Sequence, residues 1–277
     1  MDSRMQLTIV DVFAERRYAG NQLAVVRDAG GLSGAEMQDI AREMNFSETA
    51  FVLEAGIGHA RARYFTPDWE LPFAGHPTLG TAWVLSGGEG KFLLDLPVGR
   101  VPVAFEGELG WFSSPPVQLG AEMDRSLAAA LVGLAPEQLD VDCPVRFAEV
   151  GPQFVIIGVR DLDVLAAARL DAQCHEQRLA EGFPVQCVFL FSAQAHAPDA
   201  DFAARMFFVS AGVREDPATG SANAAFAAYL RDALGRGGRI VVDQGVEMKR
   251  PSRLYLDVGD EIRVGGKVQL VAEGRLV

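Results

Sequence analysis

The chain has 277 residues, of which 49% are hydrophobic and 22% charged, as in an ordinary globular protein with a sizeable core. Its formal net charge of −12 argues against nucleic acid or an anionic membrane as a partner, because like charges repel. The sequence has no apolar stretch long enough to span a membrane and no secretory signal pattern, and its three cysteines form no CxxC pair, so we expect a reduced, cytoplasmic protein.

The first half of the chain is predicted to consist mainly of strands. Strand-like segments occur at 7–13, 23–28, 46–53, 60–67, 91–96, 101–106 and 109–113. A helix between the second and third of these is expected to start after Ser33, which has Glu36 at the capping-box position, and to end at Asn45. A second helix is predicted at 77–86.

The second half of the chain repeats this mixture. A Pro-containing stretch at 113–120 is the predicted domain boundary. Beyond it, helices are predicted at 124–134, 162–181 and 222–230. The predicted strands lie at 145–150, 153–159, 185–191 and 202–209, and short strands with glycine-containing turns run from 239 to the end.

One turn-and-helix segment occurs twice. "ELPFAGHPTLGTAWVL" (70–85) and "EDPATGSANAAFAAYL" (215–230) align without a gap, so that Glu70 meets Glu215 and Gly75 meets Gly220. The offset is near half the length of the chain. We therefore predict an α+β protein of two pseudo-symmetric mixed α/β domains.

Both repeated helices are apolar on nearly every side, which predicts that each is buried in the middle of its domain. The first backbone N–H groups of a helix have no partner inside it, and a preceding glycine allows close approach. Two such helix ends facing a shared cleft would bind a small carboxylate or phosphate from both sides. The plainer alternative is that Gly75 and Gly220 only shape turns and that the helices are only core.

Four blocks spread over nearly the whole chain resemble the PhzF-like isomerases of the phenazine-biosynthesis family, which have a diaminopimelate-epimerase-like fold. The blocks are "NFSETAF" (45–51), "FTPDWELPFAGHPTLG" (65–80), "REDPATGSA" (214–222) and "QGVEMKRPS" (244–252). The early "GNQ" block has Gln22 where the family usually has proline.

The resemblance implies two barrel-like sheets, each wrapped around a central helix, with the site in the cleft between them. The expected N-terminal domain comprises residues 1–115 together with a C-terminal strand at 266–277, and the expected C-terminal domain comprises residues 116–265. The resemblance also implies a homodimer, no metal or organic cofactor, and a small carboxylate-bearing metabolite as the substrate.

Glu48 is the predicted proton shuttle. It lies on a strand with Phe46, Ala50 and Val52 on the same face, and a carboxyl group among apolar side chains is able both to take and to return a proton. Without the resemblance, an acid here would more often be an edge residue or a salt-bridge partner.

His76, which follows Gly75 at the entrance of the first repeated helix, is a second candidate catalytic residue. The cationic form is disfavoured near a helix N-terminus, so we expect a neutral imidazole that donates or accepts one hydrogen bond. The plainer alternative is a capping or packing histidine.

The second repeat supplies the remaining candidates. The resemblance places Asp216 in the active site, although an acid before a helix is also a common cap. It places Ser221 in contact with the substrate, and the backbone N–H groups at Gly75, His76, Gly220 and Ser221 would hold a carboxylate. Glu70 and Glu215 are expected to brace loops, and Arg250 would either line the cleft or pair with an acid.

Residue chemistry excludes one rival mechanism. Epimerases of this fold that use two thiols carry them immediately before the two repeat glycines, where this chain has Ala74 and Thr219. No GxxxxGK[ST] loop is present, which excludes a phosphate-transfer site of that kind. The alternatives left open are a single-carboxylate epimerase or racemase and a non-catalytic protein that binds small anions.

Overall fold

The computed structural model describes residues 5–182, 187–209 and 213–277. The strands of this part, in chain order, are β1 (Gln6–Val12), β2 (Asn21–Arg27), β3 (Glu48–Gly56), β4 (His59–Phe65), β5 (Glu70–Leu71), β6 (Lys91–Leu96), β7 (Gly99–Glu106), β8 (Leu109–Ser113), β9 (Gln118–Glu122), β10 (Arg146–Glu149), β11 (Gln153–Val159), β12 (Cys187–Ser192), β13 (Phe202–Val209), β14 (Val213–Asp216), β15 (Gly238–Gln244), β16 (Ser252–Val258), β17 (Ile262–Gly266) and β18 (Val268–Arg275). The helices are α1 (Gly34–Met44), α2 (Gly75–Ser86), α3 (Arg125–Leu131), α4 (Leu162–Ala167), α5 (Ala172–Ala180) and α6 (Gly220–Leu234).

The chain divides into two compact units. Unit 1 comprises residues 1–115 and 263–277, and unit 2 comprises residues 116–262. In the described part of the chain, no helix is long and apolar enough to cross a membrane.

In unit 1 one sheet surrounds α2. Its strands pair in the order β18, β1, β2, β3, β4, β6, β7, β8 and β17, with the short β5 also paired to β4. The pairs β2–β3 and β4–β6 are parallel and the others antiparallel. Helix α2 contacts strands all along this order, from β18 and β1 to β7 and β8, so the sheet wraps around it.

Unit 2 repeats the strand arrangement. Its sheet runs β9, β10, β11, β12, β13, β15 and β16, with β14 also paired to β13, and β11–β12 and β13–β15 are its parallel pairs. The run from β10 to β16 has the same succession of orientations as the run from β1 to β7. Helix α6 contacts β9, β10, β11 and β16 and takes the place that α2 has in unit 1. The predicted α+β fold of two similar units, each with a sheet around a central helix, is confirmed.

Both central helices are buried, as the sequence predicted, and both start two residues earlier than expected. Every residue from Gly75 to Ala82 of α2 and from Gly220 to Leu230 of α6 is buried. At the aromatic centre of unit 2, the ring of Phe226 lies 4.6 Å from Phe191 and 5.1 Å from Phe202, centroid to centroid. Burial of such large rings is a main source of stability in the unit.

Helix α1 begins and ends at the predicted residues. The Ser33 hydroxyl accepts from the Glu36 N–H at 3.3 Å, and the Ser33 N–H donates to Glu36 Oε2 at 2.8 Å, which completes the capping box. Asn45 adopts the left-handed conformation with φ 51°, and its N–H donates to the Ala41 carbonyl. A left-handed residue at this position ends a helix because it turns the chain away from the helical path.

The single helix expected at 162–181 is wrong, because the structure has two helices, α4 and α5, in this stretch. The intervening N–H groups of Arg169 and Asp171 donate to the carbonyls of Val132 and Leu131 instead of continuing a helix. The Asp171 carboxylate then accepts from the Cys174 N–H at 2.9 Å and starts the second helix. The strand expected at 185–191 has its first two residues outside the described part of the chain.

Each unit has its own Arg–Glu ion pair, and the two pairs lie on equivalent strands. Arg63 on β4 binds Glu70 on β5 through two bonds of 2.7 and 2.6 Å, and Arg205 on β13 binds Glu215 on β14 through two bonds of 2.8 Å. Each guanidinium also lies over a phenylalanine ring two residues further along its strand, at 5.0 and 4.6 Å from the centroid. These pairs tie each short strand to its sheet just before the central helix.

Candidate active site

Glu48 is the first residue of β3, and the parallel register places it opposite Leu23 of β2. Its side chain is 15% exposed, and Oε2 is buried. Ala50 and Val52, which follow on the same strand, are buried as well. The carboxyl group therefore lies at the margin of the core, mostly withdrawn from water, as its apolar strand neighbours predicted.

His76 is the second residue of α2, and its ring lies beside Glu48. Its Nδ1 is 3.4 Å from Glu48 Oε2 and 3.3 Å from Asn21 Nδ2. Burial lowers the pKa of His76 to about 3, and a backbone hydrogen bond at Gln22 opposes this effect only in part. The ring is therefore neutral near pH 7, and its contact with Glu48 is not an ion pair under those conditions.

The second ring nitrogen of His76 is buried too. Within the described ranges, Nε2 has no hydrogen-bond partner. A buried polar atom of this kind is costly unless it gains a partner at some stage of function. His76 therefore has a second ring nitrogen whose hydrogen-bonding capacity is not used among the described residues.

The beginning of α2 has no side-chain cap. Its N-cap residue, Ala74, carries no polar side-chain atom, and Gly75 and His76 provide the first N–H groups of the helix. In the first turn of a helix these groups have no carbonyl partner within the helix, and the helix dipole adds positive potential there. This helix end lies next to the Glu48–His76 pair in the same unit.

In unit 2, Asp216 is the last residue of β14 and is only 4% exposed. The Thr219 hydroxyl donates to Asp216 Oδ2 at 2.5 Å. Thr219 is also the N-cap residue of α6, but its side chain makes no cap bond to the helix. Ser221, 4% exposed, lies in the first turn of α6 after Gly220.

Two buried amides complete this group. Gln244, at the end of β15, and Asn223, on α6, are both fully buried. Gln244 Oε1 accepts from the Thr219 N–H at 3.3 Å and from Asn223 Nδ2 at 3.0 Å. Gln244 Nε2 donates to the Asp216 carbonyl at 2.9 Å and to Thr219 Oγ1 at 3.2 Å.

The structure thus brings Glu48 into contact with His76 and sets Asp216 beside Thr219. Sequence reasoning missed three polar residues, Asn21, Asn223 and Gln244. The repeat could have pointed to Asn223. The alignment that matches Gly75 with Gly220 also matches Thr78 with Asn223, so both central helices carry a polar residue at this position, and in α6 that residue is fully buried. The backbone N–H of Arg250 donates to the Gly245 carbonyl and closes the turn after Gln244. A role for the Arg250 side chain stays a prediction.

Within residues 5–182, 187–209 and 213–277, no group of three or more His, Cys, Asp or Glu side chains is placed to hold a metal ion. Neither Ala74 nor Thr219, the residues that precede the two helix glycines, is a thiol.

The fold is that of the epimerase-like proteins with two similar halves. A hydroxyproline epimerase of Agrobacterium vitis matches with a TM-score of 0.62 over 99% of this chain and 93% of its own, at 16% identity, which shows the fold alone. A PhzF-family protein of Bacillus anthracis matches with a TM-score of 0.88 and 25% identity over 99% of both chains.

The family model for phenazine biosynthesis-like proteins, PhzC-PhzF, matches residues 10–274, and the chain belongs to this family. A trans-2,3-dihydro-3-hydroxyanthranilate isomerase of Pseudomonas aeruginosa is 37% identical over 284 residues, which cover 96% of this chain and 97% of the relative. The protein is accordingly a PhzF-family isomerase.

Proposed function

We propose that this isomerase moves a proton on a small cyclic carboxylate without a cofactor, with Glu48 as the group that carries the proton. The observation that carries the proposal is the pairing of Glu48 Oε2 with the neutral, buried ring of His76 at 3.4 Å. A partly buried carboxyl group in contact with a neutral imidazole suits both halves of a proton transfer.

The reaction is a shift of one proton and one double bond. The Glu48 carboxylate removes a proton from a carbon made acidic by a neighbouring double bond, and the released electron pair forms a new C=C bond. The electrons of the original double bond then take the proton from the Glu48 carboxylic acid at the far carbon. Nothing is oxidised or reduced, and Glu48 returns to its starting state.

Neutral His76 suits a supporting part in this transfer. Its Nδ1 side is occupied by Glu48 and Asn21, whereas its buried Nε2 has no partner among the described residues. We propose that Nε2 binds a polar group of the substrate. Since burial keeps the ring neutral, this bond does not place a second charge beside the Glu48 carboxylate.

The substrate carboxylate would bind at helix N-termini. The first N–H groups of α2, at Gly75 and His76, and of α6, at Gly220 and Ser221, have no cap from the side chain of the N-cap residue. Such N–H groups favour an anion. That unit 2, with Asp216 and Ser221, acts on the same substrate as unit 1 is part of this proposal, as is assembly into a homodimer.

A single-carboxylate epimerase is the second candidate, because the same Glu48–His76 pair would return the proton to the carbon that lost it. The two outcomes differ in where the hydrogen reappears. An isomerase moves the double bond, whereas an epimerase leaves it in place and changes only the configuration.

The test uses trans-2,3-dihydro-3-hydroxyanthranilate, the compound in the relative's name, incubated with the purified protein in deuterated water. Proton NMR of the products is expected to show a shifted double bond. Deuterium at the original carbon with no shift of the double bond would favour the epimerase. Binding of the compound without any exchange would overturn the proposal in favour of a protein that only binds the anion.

A further inference from the structure

The internal repeat shows which parts of unit 2 the fold itself does not require. The alignment that matches Gly75 with Gly220 also matches Leu71 with Asp216 and Ala74 with Thr219. Two residues that bind each other in unit 2 are therefore apolar in unit 1. The common architecture forms with either set.

Gln244 has an equivalent in unit 1 as well. On β6, Asp95 pairs with Arg100 of β7, and on β15, Asp243 pairs with Arg253 of β16, in the same antiparallel register and with an ion pair in both. The next residue on each strand is Leu96 in unit 1 and Gln244 in unit 2. A leucine in one unit thus corresponds to a fully buried amide in the other.

The bonds of Gln244 fix the direction of its amide. Its oxygen accepts from the Thr219 N–H, which is always a donor, and its nitrogen donates to the Asp216 carbonyl, which is always an acceptor. A flipped amide would set donor against donor and acceptor against acceptor. All four hydrogen-bonding positions of the amide are used, two by the oxygen and two by the nitrogen.

This direction also fixes the hydroxyl of Thr219. Because Thr219 Oγ1 accepts from Gln244 Nε2 at 3.2 Å, its own hydrogen points to Asp216 Oδ2 at 2.5 Å. Oδ2 is therefore held as an acceptor, and a proton carried by Asp216 favours Oδ1. The chain of bonds runs from Gln244 through Thr219 to the Asp216 carboxylate.

The turn after Gln244 packs against the segment that contains Asp216. A Cβ atom on Gly245 would lie 2.5 Å from the Pro217 carbonyl oxygen and 2.5 Å from that of Arg250. Gly245 also has φ +73°, which other residues rarely adopt. The backbone of this turn therefore packs directly against the residue that follows Asp216.

We propose that Gln244 and Thr219 are positioning residues for Asp216, holding its carboxylate in one orientation and keeping Oδ2 as an acceptor during proton transfer. The inference rests on the proposed function, in which Asp216 acts on the substrate. Because unit 1 forms the same architecture with Leu71, Ala74 and Leu96 at the equivalent positions, the inference assigns the polar network of unit 2 to catalysis and not to folding.

The first test compares Thr219→Val with Thr219→Ser in turnover of trans-2,3-dihydro-3-hydroxyanthranilate. Valine keeps the shape and removes the hydroxyl, so we expect kcat to fall about 10-fold to 100-fold with KM little changed, as for a catalytic group held in the wrong orientation. Serine keeps the donor and is expected to restore most of kcat. Equal activity of valine, serine and wild type would overturn the positioning role.

A second variant replaces the network side chains of residues 219, 223 and 244 with those that unit 1 carries at the equivalent positions. Thr219→Ala, Asn223→Thr and Gln244→Leu together copy Ala74, Thr78 and Leu96 of unit 1. We expect this triple variant to fold with a cooperative melting transition and to lose turnover to at least the extent of Thr219→Val. Wild-type turnover in a folded triple variant would also overturn the inference.

Asp216→Asn separates this inference from the proposed function. Full turnover in that variant would remove Asp216 from the mechanism and contradict the proposed function. A large loss there, together with full activity in Thr219→Val, would contradict only the positioning role. Crystal structures of wild type and Thr219→Val give a readout that needs no turnover: we expect the Asp216 carboxylate to rotate in the variant, and an unchanged carboxylate would oppose the inference.

Discussion

His76 Nδ1 lies 3.4 Å from Glu48 Oε2, and burial holds the pKa of this histidine at about 3. By distance alone the contact would count as a salt bridge, but a ring that is neutral at pH 7 forms none. Burial decides the charge of the ring, because His76 is only 2% exposed and loses its hydration in the core. The pair is therefore one acid and one neutral ring, which is the combination that the proposed proton transfer uses.

Glu48→Gln is expected to slow proton transfer strongly while the protein stays folded. The amide has nearly the same shape as the carboxylate but cannot accept and return a proton. Loss of a general base lowers turnover by about 10²-fold to 10⁴-fold. The measurement is deuterium incorporation into substrate and product, with circular dichroism to check folding.

The control for this prediction lies on the same strand. Glu54 is exposed near the end of β3, 3.8 Å from Arg61. Glu54→Gln is expected to leave turnover unchanged, because exposed ion pairs contribute little. Deuterium incorporation by Glu48→Gln at the wild-type rate would remove Glu48 from the mechanism.

The low pKa of His76 predicts how stability depends on pH. The unfolded chain protonates this histidine near pH 6.5, whereas the folded protein does so only near pH 3. The contribution of the neutral buried ring is therefore complete above pH 6.5 and is lost as the pH falls from 6.5 toward 3. The expected slope is about 1.4 kcal/mol per pH unit in that range.

Urea unfolding of wild type and His76→Gln at pH 7 and pH 5 measures this effect. Between the two pH values, wild type should lose about 2 kcal/mol more free energy of unfolding than the variant, which has no ring to titrate. Carboxylates that titrate alike in both proteins cancel from the comparison. Parallel losses in the two proteins would contradict a neutral, buried His76.

The sequence predicted the features that depend on local or repeated patterns. The capping box at Ser33, the burial of the two central helices and the role of Glu70 and Glu215 in holding their segments could all be read from spacing or from the repeat. Gln244 could not be found this way, because its partners lie on other elements and its correspondence with Leu96 appears only in the strand register. The division of 162–181 into two helices likewise depends on tertiary bonds to the end of α3.

Gly80, in the middle of α2, is expected to resist substitution although alanine favours helices. A Cβ atom there would lie 2.5 Å from Leu23 Cδ2 and 2.8 Å from Val12 Cγ2, both in the buried sheet around the helix. Overpacking of this kind costs about 1–3 kcal/mol, whereas the helix propensity returns about 1 kcal/mol. We therefore expect Gly80→Ala to destabilise unit 1 by about 1 kcal/mol in urea unfolding.

Gly31→Ala is the matched control, because a Cβ atom at Gly31 would meet nothing within 4 Å. Its effect should be within about 0.5 kcal/mol. In the repeat alignment Gly80 corresponds to Ala225 of α6, so unit 2 accommodates a Cβ atom at the equivalent position. A stabilised Gly80→Ala protein would show that Leu23 and Val12 move aside at little cost.

The repeated arginine pairs are expected to differ in strength although their geometry is the same. Arg205 is 3% exposed, and its Nη1 also donates to the carbonyls of Leu165, Ala166 and Ala168 at 2.9–3.1 Å. Arg205→Ala would leave Glu215 and these carbonyls without their partner, at a cost of about 3–5 kcal/mol. Arg63 and Glu70 are each about 30% exposed, at 29% and 32%, so Arg63→Ala should cost about 1 kcal/mol or less.

Double-mutant cycles measured by urea unfolding compare the two pairs directly. The coupling energy of Arg205 with Glu215 should exceed that of Arg63 with Glu70, because water screens the exposed pair more strongly. Adding salt should weaken the Arg63 pair and leave the Arg205 pair nearly unchanged. Arg205→Lys should recover little stability, since an ammonium group cannot form two parallel bonds to one carboxylate and also reach the carbonyls. Equal couplings with equal salt dependence would mean that burial does not set the strength of this repeated pair.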